Sequence, residues 1–200
     1  MQKPNLSLRQ IMSGEYYEPT IWSINYKTSY VRFLIAQHNL VSKPFRKIEG
    51  KFQVYTGFLE TNMEDFTHAE IDFSIVVNSI NTGNDKRDKA LKSPAFLNVA
   101  KFPLMRFKSV AFVKERNNNC ILEGDCIICG ITKRVVFDVV YEGKKQDESG
   151  NITAGFRARG KINRHDFGLK GNLLQDIFIG KEVTILLNLE FAQEWMNPIN

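Results

Sequence analysis

Ala69-Glu70-Ile71-Asp72-Phe73-Ser74-Ile75 alternates strictly between apolar and polar residues, and its odd-numbered apolar set runs on through Val77. Successive strand residues face opposite sides of a sheet, so a run of this kind has one dry face and one wet face. Val183, Ile185, Leu187, Leu189 and Phe191 repeat the pattern near the other end of the chain. Between them, similar stretches lie near Val31–Gln37, Gly50–Tyr55, Leu104–Val113, Cys120–Ile128, Arg134–Tyr141 and Ile152–Ile162. Turn-forming clusters separate the runs: Thr82-Gly83-Asn84, Asn117-Asn118-Asn119, Glu148-Ser149-Gly150-Asn151 and Gly168–Asn172. With Trp22–Gln37 counted as one bent strand, the pattern predicts about eight strands.

Two stretches break this rhythm. Asn84–Ala95 is charged and ends at Pro94, which predicts a short helix near Asn84–Leu91 capped at Asn84 or Asp85. Leu173–Ile179 reads as a second short turn. Many one-sided strands with few helices predict an all-β fold, an antiparallel barrel or sandwich. A closed barrel removes the exposed edges that an open sheet must protect. At around eight strands its interior is either filled by side chains or holds one small ligand. The expected organisation is a tail or lid over residues 1–19, a barrel over 20–192 and a tail over 193–200.

Composition narrows the function. The chain has 200 residues, 43% of them hydrophobic, with 15 Phe against 2 Trp. That is enough for one domain with a large apolar interior, either solid core or lined cavity. The net charge of +5 is mild, and the basic residues are interleaved with acidic ones. No concentrated basic stripe or nucleic-acid motif occurs, so no nucleic-acid partner is expected. Transient contact with an anionic membrane surface stays compatible with this charge. No apolar run is long enough for a transmembrane helix. The first ten residues lack the apolar core of a signal peptide, so the expected address is cytoplasmic, or periplasmic if a leader was removed. An odd count of three cysteines, Cys120, Cys126 and Cys129, argues for reduced thiols. The oligomeric state is left open, a homodimer included.

Candidate chemistry is sparse. His38, His68 and His165 form no His-x-x-x-His pair, and no metal is expected. Cys126 and Cys129 have the spacing of a zinc half-site, but positions three apart on a strand face opposite sides. There is no nucleophile elbow and no Gly-rich phosphate loop, so no catalytic residue is assigned. Arg164 and Asp166 would share a strand face with His165 pointing away, either as a structural tie at a barrel rim or as a ligand contact. Arg87 and Asp88 carry the same two readings. Parity assigns the inward face to Phe33, Ile35, Phe52, Val54, Ile71, Phe73, Ile75, Val77, Met105 and Phe107 in the first half of the chain. In the second half it assigns Val135, Phe137, Val139, Phe156, Val183, Ile185 and Leu187. The intervening Gln53, Asp72, Ser74, Arg106, Lys108 and Asp138 need water.

The segment Ser79–Asn98, followed by Lys101-Phe102-Pro103, resembles the central signature of the bacterial YceI-like polyisoprenoid-binding family. Trp22-Ser23-Ile24-Asn25 through Ser29, Val31 and Phe33 is similar to that family's opening strand. Glu123-Gly124-Asp125 through Gly130-Ile131-Thr132-Lys133 resembles its hairpin. Gly155-Phe156 through Gly168 resembles its late signature, and Gly180-Lys181-Glu182-Val183 to Glu190 its closing strand. The chain departs from the family at Asn25, Thr28, Cys126 and Cys129. The resemblance implies a lipocalin-like antiparallel eight-stranded β-barrel with one or two short helices. It further implies an elongated cavity for an apolar lipid partner, an isoprenoid lipid or quinone tail, with no other cofactor. Carriage, storage or sensing would follow from binding. An isomerase or cyclase acting on a bound lipid and a solid-cored interaction module are the alternatives.

Overall fold

The computed structural model describes residues 19–37, 46–62, 66–170 and 179–194. The strands are β1 (Thr20–Ile24), β2 (Tyr30–Gln37), β3 (Arg46–Phe52), β4 (Tyr55–Thr61), β5 (Glu70–Val76), β6 (Ile80–Asn81) and β7 (Leu104–Lys114). They continue with β8 (Asn119–Ile128), β9 (Ile131–Gln146), β10 (Ile152–Asn163) and β11 (Ile179–Gln193). Among the described residues one α-helix, α1 (Asp85–Lys92), follows β6, and 3-10 turns cover Val77–Ser79 and Arg164–Phe167.

Every pairing is antiparallel. The order β1-β4-β5-β7-β8-β9-β10-β11 returns to β1 and closes an eight-stranded barrel. The long β11 serves two neighbours on one edge. Its end pairs with β1 through Ile24↔Phe191, and its earlier part with β2 through Phe33↔Ile185. Trp22–Gln37 is therefore one bent path interrupted at 25–29. The stretch Gly50–Tyr55 is instead divided between β3 and β4. At that break the Ser79 hydroxyl accepts from the Val54 amide at 3.0 Å and donates to the Val76 carbonyl at 2.6 Å. On one side of the break β4 pairs with β5, and on the other β3 pairs with β2 and with β6, Phe52 opposite Ile80. The wall splays there, and α1 with the loop after it fills in.

The sequence signals for α1 hold in detail. Asn84 caps the helix, its side chain accepting from the Arg87 amide at 2.9 Å, and Asp85 and Asp88 sit in the first turn, where the helix dipole favours acids. The Leu173 turn and both predicted tails lie outside the described residues, apart from a few at their inner edges.

Packing divides the barrel interior into two ends. At one end Trp22, Leu59, Phe66, Phe112, Phe156 and Phe191 form a solid core. Rings meet edge to face: Phe66 and Phe156 at 5.2 Å and 89°, Phe156 and Phe191 at 6.1 Å and 77°. At the other end a smaller cluster of Val77, Ile80 and Leu97 packs under α1.

Candidate functional site

The second end holds a cavity of about 380 Å³, within the usual range for small-molecule sites. Its wall is built strand by strand from the alternating faces. β2 and β3 contribute Val31, Phe33, Ile35 and Ile48, with Phe52 at the break. β5 and β7 supply Phe73, Ile75, Met105 and Phe107, and β11 supplies Val183 and Ile185. Ala90 and Leu91 of α1, with Phe96 and Leu97 after it, close the splayed side.

Most of the residues that parity assigned inward line the cavity or pack in the core, at different depths along the barrel. Val135, Phe137, Val139 and Phe156 point inward and are buried in the solid core, away from the cavity. Ile71 and Leu187 pack against that same core. Val77 is fully buried beside Ile80 and Leu97, one residue past the end of β5. Val54 is a correction: it is 53% exposed, because it sits in the β3–β4 break where strand parity no longer applies. The sequence reading missed Ile48, since β3 begins at Arg46 rather than Gly50. It also missed Cys126 and Ile128, whose parity on β8 carried the signal, and Ile162 on β10. Leu91 and Leu97 had no strand signal at all.

The polar positions separate into distinct roles. Arg164 is only 4% exposed, and its guanidinium is spent on backbone carbonyls. Nε donates to Gly180 O and Nη2 to Ile179 O, both at 2.9 Å, while Nη1 donates to Leu169 O and Lys170 O. It thereby ties the end of β10 to the start of β11 beside the cavity. The strand geometry expected for Arg164 and Asp166 is corrected: both lie in a 3-10 turn, with Arg164 buried and Asp166 exposed. A turn with three residues per cycle does not place alternate residues on one face.

Arg87 also reaches the cavity wall, but is half-buried and held by one residue. Its Nε donates to Thr82 Oγ1 at 2.7 Å and its Nη2 to Thr82 O at 2.8 Å. The Thr82 hydroxyl in turn donates to buried Asp88 at 2.5 Å, and Asp88 also accepts from the Thr82 amide at 3.0 Å. Asp88 thus orients Thr82, and Thr82 orients Arg87.

Cys126 lies in the cavity wall, where burial pushes its thiol up to about 11. A thiol that stays protonated is a poor nucleophile. Cys129 is not on a strand. It occupies the β8–β9 turn at φ +51°, and its thiol points at Leu97 O, 3.6 Å away, tying the hairpin to the loop that closes the cavity. Burial raises this thiol as well. Among the described residues, no group of three or more His, Cys, Asp or Glu is placed to hold a metal ion. No described helix is long and apolar enough to cross a membrane.

Three comparisons bear on this architecture. The structure is similar to that of BcnA from Burkholderia cenocepacia, with a TM-score of 0.70 at 18% identity, covering 84% of this chain and 98% of that one. It is similar to a polyisoprenoid binding domain from Saccharophagus degradans, with a TM-score of 0.62 at 15% identity over 86% of this chain and 98% of that one. At such identities the likeness is one of fold. In sequence, the chain is 32% identical to the protein YceI of Salmonella arizonae over 145 residues, 72% of this chain and 74% of that protein. The YceI-like domain matches residues 22–191, from the first strand to the last. A match that runs the length of the barrel, with a relative at this identity, places the chain in the family of YceI-like domains.

Proposed function

We propose that this protein binds one long apolar molecule, an isoprenoid lipid or a quinone tail, in the barrel cavity, and so serves to carry, store or sense it. The observation that carries this reading is the cavity itself. Rings and aliphatic side chains from β2, β5, β7 and β11 border an unfilled space where the same barrel is solid at its other end. Apolar area moved from water into such a lining contributes about 25 cal/mol per Å², so a chain needs no specific polar contact to bind. Membership of the YceI-like family supports the reading, as does the fold shared with a domain described as polyisoprenoid binding. Thr82 and Arg87 offer hydrogen-bond donors and acceptors at the wall, a place for the polar head of an amphipathic molecule.

Binding is favoured over catalysis by the chemistry at the wall. Of the arginines there, Arg164 is engaged with backbone carbonyls and Arg87 with Thr82, and the Cys126 thiol is held in its unreactive form. Native mass spectrometry and organic extraction of the purified protein test the reading directly. A co-purified prenyl-chain lipid is expected. Ile75→Trp, which fills the cavity, should then abolish uptake of that lipid while leaving Tm nearly unchanged. A protein that carries no lipid, takes up no long-chain probe, and is destabilised by every inward substitution has a solid interior, and the reading falls.

A further inference from the structure

Three of the phenyl rings on the cavity wall lie on glycines. Phe33 on β2 is directly opposite Gly50 on β3, and Phe73 on β5 is directly opposite Gly57 on β4. Phe107 on β7 lies diagonally across from Gly124 on β8. A Cβ added at any of these glycines would come within 2.5 Å of the ring that covers it. Each ring therefore occupies the volume that a side chain on the neighbouring strand would take. It is sunk into the wall rather than standing into the lumen.

We propose that Gly50 and Gly57 set the bore of the cavity, and that this bore suits a methyl-branched chain over a straight one. The inference rests on the apolar-chain reading above and deepens it. A chain with a methyl group on every repeat is thicker than an unbranched chain. In a lumen widened by recessed rings it touches the wall all round, whereas a straight chain leaves gaps and forfeits dispersion contacts. Displaced rings have one open direction. Phe52 flanks Phe33 at 5.8 Å, and Tyr55 stacks on Phe73 at 5.8 Å and 21°. A methyl group beneath either ring thus pushes it toward the lumen. Gly50 and Gly57 would meet ring atoms alone, whereas a Cβ at Gly124 would also meet the Lys108 carbonyl at 2.5 Å and distort the sheet. The first two glycines are therefore the positions that report on the bore.

The test is a competition assay on the full chain. A polyprenyl alcohol and a straight-chain alcohol of equal carbon number each displace a fluorescent apolar probe. The wild-type protein should favour the polyprenyl alcohol. Gly50→Ala and Gly57→Ala should weaken polyprenyl binding by roughly tenfold and straight-chain binding by less than about twofold. Adding Phe33→Leu to Gly50→Ala should restore the wild-type preference, because a smaller side chain then lies on the methyl group. Phe156→Leu is the control: it lies in the solid core and not on the cavity wall, so it should lower Tm and leave the preference unchanged. If Gly50→Ala does not fold, Phe33→Leu alone reads the same bore from the other side and should raise the preference for the branched chain. Wild-type protein that binds both alcohols with a preference the alanines do not move overturns the bore. Equal losses for both alcohols without rescue overturn it as well. Wild-type protein that binds neither overturns the binding reading itself.

Discussion

The two ends of this barrel are built from the same residue types on the same alternating strands, yet one is solid and the other hollow. At the solid end ring meets ring: Phe156 touches Phe66, Tyr141, Phe112 and Phe191 at centroid distances of 5.2 to 6.3 Å. At the hollow end ring meets glycine, as Phe33 does on Gly50 and Phe73 on Gly57. Phe156 is thus enclosed by rings from several strands, whereas Phe33 and Phe73 each cover a glycine on one side and border the cavity on another. Phe137 joins the two arrangements. It packs on Gly160 and also meets Phe107 edge to face at 5.7 Å, where solid core gives way to cavity.

The largest effect that separates the ends is in stability. Phe156→Ala should cost about 3–5 kcal/mol in urea unfolding, because it opens a void among four rings. Phe33→Ala removes as large a ring, but one that already borders a space. It should cost closer to about 1–2 kcal/mol. Equal losses at the two positions would mean that the cavity end is as tightly packed as the core, and the comparison would fail.

Two of the arginines on the cavity wall, Arg164 and Arg87, give the next effect. Arg164→Met strips the carbonyls of Leu169, Lys170, Ile179 and Gly180 of their donor, removes a buried charged group, and should cost about 2–3 kcal/mol. Arg87→Met loses hydrogen bonds to Thr82 alone, from a half-buried position, and should cost about 1 kcal/mol or less. Its effect should appear in the binding of lipids with a polar head rather than in Tm. The reverse ranking would make Arg87 the structural tie and Arg164 the ligand contact.

The smallest effect is read at Cys126. Below its ordinary value of 9.0 the thiol is protonated in both folded and unfolded chains, so its contribution to stability is constant there. As pH rises from 9 toward about 11 the unfolded thiol ionises while the folded one does not, so stability falls across that window. Cys126→Val should remove this part of the pH slope. At pH 8 alkylation of Cys126 by a small uncharged reagent should be about a hundredfold slower than that of a thiol of ordinary pKa, as the thiolate fraction dictates. Bound lipid should slow it further. Rapid labelling unaffected by lipid would place the thiol outside the cavity.

Much of this was legible in the residues. The alternation in Ala69–Ile75 and its repeats is a local property, and it determined strand positions, the inward face and a count of about eight strands. The Asn84 cap and the acidic first turn likewise determined α1, because a helix end satisfies its amides within a few residues. Parity, however, states which face a side chain takes and nothing about depth along the barrel axis. Phe73 and Phe156 look alike in sequence, and only the packing of distant strands assigns one to the cavity and the other to the core. Val54 kept the strand pattern and lost its burial, because Ser79, twenty-five residues away, holds the backbone where β3 gives way to β4. Arg164 reads as a charged rim residue until two carbonyls just past its own turn and two at the start of β11 converge on it. The sequence by itself determined one-sided strands and an all-β fold, barrel or sandwich, since those depend on neighbours along the chain, whereas closure depends on β11 reaching β1 from the far end of the sequence. Whether the interior is filled depends on what each inward side chain finds on the next strand, and strand pairing alone brings Phe33 over Gly50 and Phe73 over Gly57.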